Sequence, residues 1–276
     1  MQCTSDFLAL CDRIADAVHE AIKGLVGTPD AGKVLYIGAD GTPTKLIDDV
    51  SEKVIFALLE REHHFFRVIS EEAGDRIVGK SSDMSPPDHT LIIDPIDGTY
   101  NACSGIPFYS LSIAIAGNDP NDLFFGYVKN LATGDTFYAG AGKGAYVNGK
   151  KLETSGNSDI SRFCMSIYGY RNNTEEAAII SKSVRRIRVL GSVALELCYV
   201  ASGKTDAFAD VRGTMRMTDI AAGKLIVEEA GGIVTNGYGD SLKMEDKVVS
   251  RVIVIASNGH AHDRILKLST GIVHER

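Results

Sequence analysis

The chain has 276 residues, of which 44% are hydrophobic and 24% are charged. This composition excludes a disordered chain and is sufficient for one large core or two smaller ones. The 29 Lys and Arg residues against 36 Asp and Glu residues give a formal net charge of -7, which argues against a nucleic-acid-binding surface. We therefore expect a globular protein that does not bind nucleic acid.

The sequence also indicates where the protein works. Asp6, Asp12 and Arg13 interrupt the N-terminal apolar residues, and no stretch reaches the roughly 18 apolar residues that span a bilayer. The 5 cysteines are scattered and form no C-x-x-C pair, which predicts reduced thiols and no zinc site. We expect a cytoplasmic protein without a signal peptide or a membrane partner.

The first half combines helices with an antiparallel meander. Helical periodicity predicts one helix from Thr4 and Ser5 to about residues 24–27 and another over residues 46–63, separated by a loop at residues 36–44. Short strands are predicted at residues 67–69 and 90–93. Alternating segments then predict four meander strands, at residues 110–115, 123–128, 135–139 and 144–147.

Beyond about residue 158, strands and helices alternate. The predicted strands are residues 163–167, 186–190, 207–209, 233–234 and 252–256. The predicted helices are residues 174–183, 193–201 and 219–230, with a final helix from about Ala261. We place a boundary near residue 155, giving an α+β half at 1–155 with most of the predicted metal ligands and an α/β half at 156–276.

The hexapeptide DPIDGT, residues 94–99, directly follows an apolar strand. Asp94 and Asp97 repel each other unless a cation lies between them, and with the Ile96 carbonyl they offer the hard oxygen ligands that Mg²⁺ prefers. Gly98 and Thr99 can present N–H groups to a phosphate, and the Thr99 hydroxyl can orient an attacking water. The alternative is an ordinary turn between strands.

The spacing of the two acids bears on the mechanism. Phosphatases of the haloacid-dehalogenase type use D-x-D-x-T, in which the first Asp becomes phosphorylated. Here two residues separate Asp94 from Asp97, so strand alternation does not reproduce that geometry. The spacing favours a metal-activated water over a phosphoenzyme.

Further acids lie at the ends of other predicted elements. Glu71 and Glu72 end a strand, and a neighbouring strand of the same sheet would bring them to Asp94; the alternative is a solvated acidic turn. Asp219 and Asp48 lie at helix starts, where each could simply complement the helix dipole.

Together, Glu71-Glu72, residues 94–99 and the segment DIAAG at residues 219–223 resemble the inositol monophosphatase family. Thr218 stands where that family commonly has Trp. Residues 190–201 and 210–212 look most like the archaeal members, which hydrolyse both inositol 1-phosphate and fructose 1,6-bisphosphate. The resemblance implies a layered αβαβα sandwich, a homodimer and a Mg²⁺-dependent phosphatase of sugar or polyol phosphates.

The resemblance also implies roles for individual residues. The groups implied to bind up to about three Mg²⁺ ions are Glu71, Asp94, the Ile96 carbonyl, Asp97 and Asp219. Asp48 or Asp40 is implied to reach the third ion or its water, and the implied catalytic residues are Glu71, Thr99 and Asp48. The implied substrate contacts are Asp97, Gly98, Thr99, Gly191, Ser192, Asp210, Arg186, Tyr168, Tyr170 and Arg212.

Two alternatives to this function stay open. A metal motif describes the phosphate and says little about the alcohol, so the substrate could be a 3′-phosphoadenosine nucleotide or histidinol phosphate. A non-catalytic sugar-phosphate-binding regulator is the alternative from another class.

Overall fold

The computed structural model describes residues 4–62, 64–79, 86–171, 174–244 and 248–270. Residue 63, the predicted end of the second helix, lies outside these ranges. None of the helices in the described ranges is long and apolar enough to cross a membrane.

The first half builds an eight-stranded sheet in the order β10-β9-β8-β7-β6-β5-β3-β4. Its strands are β3 (Phe66–Ser70), β4 (Gly74–Val78), β5 (His89–Asp97), β6 (Ser110–Ala116), β7 (Leu123–Asn130), β8 (Thr136–Gly140), β9 (Gly144–Val147) and β10 (Lys150–Lys151). β6 to β9 form the four predicted strands of the antiparallel meander, and β5 and β10 extend it at its two ends. β3 and β5 run parallel, so their carboxyl ends lie at the same edge of the sheet.

The second half builds a five-stranded sheet in the order β12-β11-β13-β15-β14. Its strands are β11 (Cys164–Tyr168), β12 (Arg186–Arg188), β13 (Ala207–Met215), β14 (Ile233–Asn236) and β15 (Val252–Ser257). The helices of the chain are α1 (Thr4–Ile22), α2 (Leu46–Leu59), α3 (Thr99–Ser104), α4 (Thr174–Ser183), α5 (Val193–Ala201), α6 (Met217–Glu229) and α7 (His262–Thr270).

Three apolar clusters stack these elements in layers. α1 and α2 bury Ile14, Ile47 and their neighbours against one face of the eight-stranded sheet. α5 and α6 fill the space between the two sheets, and α4 and α7 cover the outer face of the five-stranded sheet through Ile180 and Ile265. The predicted αβαβα sandwich is confirmed. The division near residue 155 stays a prediction.

Several predicted boundaries were wrong. The predicted loop at residues 36–44 contains parts of a hairpin, β1 (Val34–Ile37) and β2 (Pro43–Lys45), because its β-prone ends pair and leave only residues 38–42 as the turn. α2 ends at Leu59, where the apolar stripe gives way to charged residues. β5 continues through the hexapeptide to Asp97, so residues 94–97 are strand rather than turn.

A glycine lets α6 approach the eight-stranded sheet closely. A Cβ built on Gly126 of β7 would lie 2.9 Å from the carbonyl oxygen of Ala222. That neighbour is helix backbone, which cannot rotate away as a side chain can. The contact between Gly126 and Ala222 therefore determines how close α6, with Asp219 at its start, lies to the eight-stranded sheet that contains β5.

We expect Gly126→Ala to lower the free energy of unfolding by about 1–3 kcal/mol, because the added methyl group overpacks the contact between α6 and β7. Gly156→Ala is the matched control, since no heavy atom lies within 4 Å of its Cβ position; its effect should stay under about 1 kcal/mol. Urea unfolding of both variants makes the comparison. Equal effects would show that the close approach does not constrain the fold.

Candidate functional site

Three carboxylates from distant parts of the sequence meet at the common edge of β3 and β5. Ser70 is in register with Ile93, so Glu71 and Asp94 follow on neighbouring parallel strands. Asp219 reaches the same point from the first turn of α6. One oxygen from each of the three lies within 4.8 Å of the others, a grouping that calls for a cation.

A bulge in β5 shapes the hexapeptide. Asp94 is opposite Ser112 and Asp97 is opposite Ser110, so β5 contains one residue more than β6 over this interval. The extra residue resets the alternation of side chains, as β-bulges do. The bulge therefore brings Asp94 and Asp97 to the same face of the sheet, although three positions separate them in the sequence.

Asp94 is fully buried and only half satisfied. Its Oδ1 accepts a hydrogen bond from the Ile96 N–H at 3.0 Å, whereas its buried Oδ2 accepts none from the described residues. Burial, followed by the charge of Glu71, raises the pKa of Asp94 well above its usual value. Burial likewise raises the pKa of Glu71. Without a cation, this site disfavours the negative charge of its own carboxylates.

Asp97 ties the hexapeptide to the second half of the chain. Its Oδ2 accepts hydrogen bonds from the Ser192 hydroxyl at 2.7 Å and from the Ala194 N–H at 2.6 Å, at the start of α5. Burial, followed by the nearby Asp219, raises the pKa of Asp97 to about 7.

Asp219 and Asp48 cap helices and also face the site. The N–H of Arg216 donates to Asp219 Oδ2 at 3.1 Å, and the N–H of Lys45 donates to Asp48 Oδ2 at 3.2 Å. Each acid therefore fills the helix-start role that its position predicts. Each acid keeps a second oxygen for another contact. The second oxygen of Asp48, Oδ1, accepts a hydrogen bond from the Thr99 hydroxyl at 3.0 Å.

The Thr99 hydroxyl has two acceptors and one proton to give. Asp48 Oδ1 and the Ile96 carbonyl oxygen both lie 3.0 Å from it. Burial raises the pKa of Asp48 to about 6, against the lowering effect of the Thr99 hydrogen bond. A threonine that donates to a carboxylate of this kind can accept a hydrogen bond from a water and orient it.

Two glycines bring residues 190–192, which include two predicted substrate contacts, against the hexapeptide. Gly98 has a φ of 92°, and a Cβ there would lie 3.1 Å from the Gly191 carbonyl oxygen. A Cβ on Gly191 would lie 2.8 Å from the Asn101 side chain, whose amide donates to the Leu190 carbonyl at 2.7 Å. Residues 190–192 are thus held directly beside the start of α3.

The remaining predicted substrate contacts continue from Gly191. The Tyr168 hydroxyl accepts a hydrogen bond from the Gly191 N–H at 3.0 Å, and Tyr168 is in register with Asp210 on β13. Arg212 donates to Asp210 Oδ2 at 2.6 Å and 2.9 Å. Its guanidinium carbon lies 4.9 Å and 4.4 Å from the rings of Tyr168 and Tyr170. An adjoining cavity of about 380 Å³ is lined by Tyr170, Arg171, Arg212 and Thr214.

Arg186 does not join this group. It is opposite Cys164 at the beginning of β11, four residues before Tyr168, which corresponds to about 13 Å along the strand. Glu72 also turns away from the three-carboxylate cluster, because its carboxylate accepts from the Thr44 hydroxyl. Of the predicted acidic pair, only Glu71 contributes an oxygen to that cluster.

Sequence analysis missed two arginines beside the site. Arg216 forms ion pairs with Asp40, Glu71 and Asp219. Arg251 donates to the Asp40 carbonyl at 3.1 Å. The spacing of three between Arg216 and Asp219 at a helix start was the available signal for the first. No local pattern pointed to the second.

The chain is similar to proteins of one family over most of its length. The profile of the inositol monophosphatase family matches residues 10–274. A fructose-1,6-bisphosphatase/inositol-1-monophosphatase from Methanothermobacter thermautotrophicus is 43% identical over 92% of this chain and 93% of its own length. A bifunctional NADP phosphatase/NAD kinase from Methanococcus maripaludis is 38% identical, and the match covers 95% of this chain and 49% of that protein.

A solved structure gives the same result for the fold. A Pyrococcus horikoshii protein with similarities to inositol-1 monophosphatase superposes with a TM-score of 0.82 at 30% identity, over 97% of this chain and 98% of that one. The family profile, the curated relatives and the shared architecture agree. The chain belongs to the inositol monophosphatase family.

Proposed function

We propose that the protein is a Mg²⁺-dependent phosphomonoester hydrolase that acts on sugar and polyol phosphates, with fructose 1,6-bisphosphate and inositol 1-phosphate as its substrates. The observation that carries this proposal is the meeting of Glu71, Asp94 and Asp219 oxygens within 4.8 Å. A buried acidic cluster beside backbone that can receive a phosphate suits metal-assisted phosphate hydrolysis. As predicted from the sequence, we expect a cytoplasmic homodimer.

The residues present fit Mg²⁺. The donors are carboxylate oxygens and the Ile96 carbonyl, which are the hard ligands of this ion, and Asp94 keeps a buried oxygen that receives no hydrogen bond from any residue the structure describes. Glu71, Asp94, Ile96, Asp97 and Asp219 would hold the ions. When bound, Mg²⁺ would supply charge that favours hydroxide formation from water and stabilises the leaving alkoxide. Which of Asp40 and Asp48 serves a third ion stays open.

The chain's own residues position the reactants. Thr99 accepts a hydrogen bond from the attacking water and donates its own proton to Asp48. As the water attacks, its proton passes to Thr99 Oγ1 and the Thr99 proton passes to Asp48, whose pKa is raised to about 6. Glu71 accepts a hydrogen bond from the same water. The N–H groups of Gly98 and Thr99 bind the phosphate oxygens, and Ser192, held by Asp97, borders the alcohol.

The substrate side supports a polyhydroxylated alcohol with a further anionic group. The exposed backbone of Gly191 offers an acceptor for a sugar hydroxyl, whereas Asp210 and Ser192 are fully buried, so their contacts with the sugar stay predictions. Arg212 lies beside the cavity that Tyr170 also lines, where a second phosphate would find a cation. The Methanococcus relative's name makes NADP a second candidate substrate, and a 3′-phosphoadenosine nucleotide and histidinol phosphate belong in the same comparison.

A substrate panel tests this proposal. We expect Mg²⁺-dependent release of phosphate with higher kcat/KM for fructose 1,6-bisphosphate and inositol 1-phosphate than for NADP, 3′-phosphoadenosine nucleotides or histidinol phosphate. Asp94→Asn tests the metal ligands in the same assay. It should lower kcat/KM by more than about 100-fold, because losing a metal ligand costs more than losing a residue that only holds a ligand in place. Its metal-free stability should not fall, since the substitution removes a disfavoured buried charge.

Three results would contradict parts of this account. Full activity of Asp94→Asn would refute the ligand assignment. Ligand binding without phosphate release from any substrate would indicate a regulator. Preference for NADP would move the substrate class to dinucleotides while leaving the metal site intact.

Single-turnover hydrolysis in ¹⁸O-labelled water tests the mechanism. Label should enter inorganic phosphate, because water supplies its fourth oxygen when the bond between phosphorus and the ester oxygen breaks. Direct attack by water further predicts that no phosphate is trapped on the protein by acid quenching, and this second result separates it from a phosphoenzyme. A covalent aspartyl phosphate at Asp94 or Asp97 would contradict a direct attack by water.

A further inference from the structure

Arg216 places its guanidinium group among the carboxylates assigned to the metal. Its Nη1 donates to Asp40 Oδ2 at 2.8 Å and to Glu71 Oε1. Its Nε and Nη2 lie 3.1 Å and 3.0 Å from Asp219 Oδ1. The Arg216 side chain is only 21% exposed. A single cation thus bridges three acidic residues from different segments of the chain.

Arg216 contacts two of the carboxylates that are proposed to bind the metal. Glu71 and Asp219 are two of the three residues whose oxygens cluster within 4.8 Å. A guanidinium group and Mg²⁺ on the same carboxylates repel each other, and each lone pair used by an N–H donor is unavailable to the metal. The arginine and the metal therefore compete for this part of the site.

The close spacing of the carboxylates explains the position of Arg216. Asp94, Glu71, Asp97 and Asp219 are held close together by strand pairing and by the start of α6, whatever their ionisation. The guanidinium fork is planar and has five donors, so it can satisfy several carboxylates at once. It offsets their repulsion when no metal is bound.

The turn that carries Asp40 is coupled to the same contact. The Asp40 N–H donates to the Glu71 carbonyl at 3.2 Å, while its carboxylate accepts from Arg216 at 2.8 Å. Arg251 adds a hydrogen bond at 3.1 Å to the Asp40 carbonyl. If Arg216 moves, Asp40 keeps its hydrogen bond with Arg251. The turn that carries Asp40 therefore stays anchored when Arg216 leaves Glu71 and Asp219.

We propose that Arg216 is a built-in counter-ion of the acidic site, which stabilises the metal-free protein and must give up Glu71 and Asp219 when Mg²⁺ binds. Arg216 thereby weakens Mg²⁺ binding and sets the concentration at which the site fills. This inference rests on the proposed function, because it takes the carboxylate cluster to be the metal site.

Calorimetric titration of Mg²⁺ into metal-free protein tests the inference without measuring activity. Arg216→Met keeps the length of the side chain and removes its charge, so its Kd for Mg²⁺ should fall at least about tenfold. The Tm of the metal-free variant should fall by about 5 °C or more, because three carboxylates lose the cation that pairs with them. Saturating Mg²⁺ should restore most of that loss.

Arg13→Met is the matched control. Arg13 pairs with Glu62 at 2.7 Å on the surface, so its loss should leave the Mg²⁺ Kd unchanged and the Tm within about 2 °C. Where Arg216→Met does not fold, Arg216→Lys supplies the comparison. It keeps the charge and loses the fork that reaches several carboxylates, so its Kd should lie between those of wild type and a charge-free site.

The outcomes separate the two proposals. Weaker or unchanged Mg²⁺ binding in Arg216→Met or Arg216→Lys, with binding to the wild type intact, would overturn the counter-ion role and leave the phosphatase proposal standing. Absence of Mg²⁺ binding to the wild type would instead contradict the proposed function.

Discussion

Repulsion among buried carboxylates is the constraint on which this structure depends. The parallel pairing of β3 with β5 fixes Glu71 beside Asp94, and the packing of α6 between the sheets adds Asp219. Burial disfavours the negative charge at Asp94 and Glu71. The fold brings these charges together and leaves their neutralisation to a cation, which we propose to be Mg²⁺ in the working enzyme and Arg216 in the metal-free protein.

The rest of the site is arranged around this cluster. Asp97 connects the hexapeptide to the start of α5, and the paired glycines Gly98 and Gly191 let the two halves of the chain touch. Through Tyr168 the contact continues to Asp210 and Arg212. The residues proposed to bind metal come mostly from the first sheet and the predicted sugar-binding residues from the second. The proposed reaction therefore takes place where the two sheets meet.

The sequence predicted what its local patterns encode. The hexapeptide, the acids at strand and helix ends, and the layered architecture were all recognisable because each rests on nearby residues or on a family motif. The bulge in β5 was not predictable, since it depends on how Asp94 and Asp97 pair with β6. Strand spacing alone therefore misjudged where β5 ends, and because the bulge restores the alternation, the absence of a phosphoenzyme stays a prediction.

Long-range contacts account for the other differences. Arg216 reaches Glu71 across 145 positions and Asp40 across 176, and no periodicity reports such pairs. Arg186 matched a plausible basic strand, but the register of β12 with β11 places it at the far end from Tyr168. A side chain's distance from a site depends on register, which the sequence of one strand does not contain.

The most direct test of the central claim is anomalous diffraction from crystals soaked in Mn²⁺, a substitute for Mg²⁺ that can be located by its scattering. We expect anomalous peaks within coordination distance of the carboxylate oxygens of Glu71, Asp94 and Asp219, with Arg216 turned away from Glu71. Mn²⁺ bound elsewhere, with this cluster still bridged by Arg216 in crystals of protein that is active with Mn²⁺, would contradict the account.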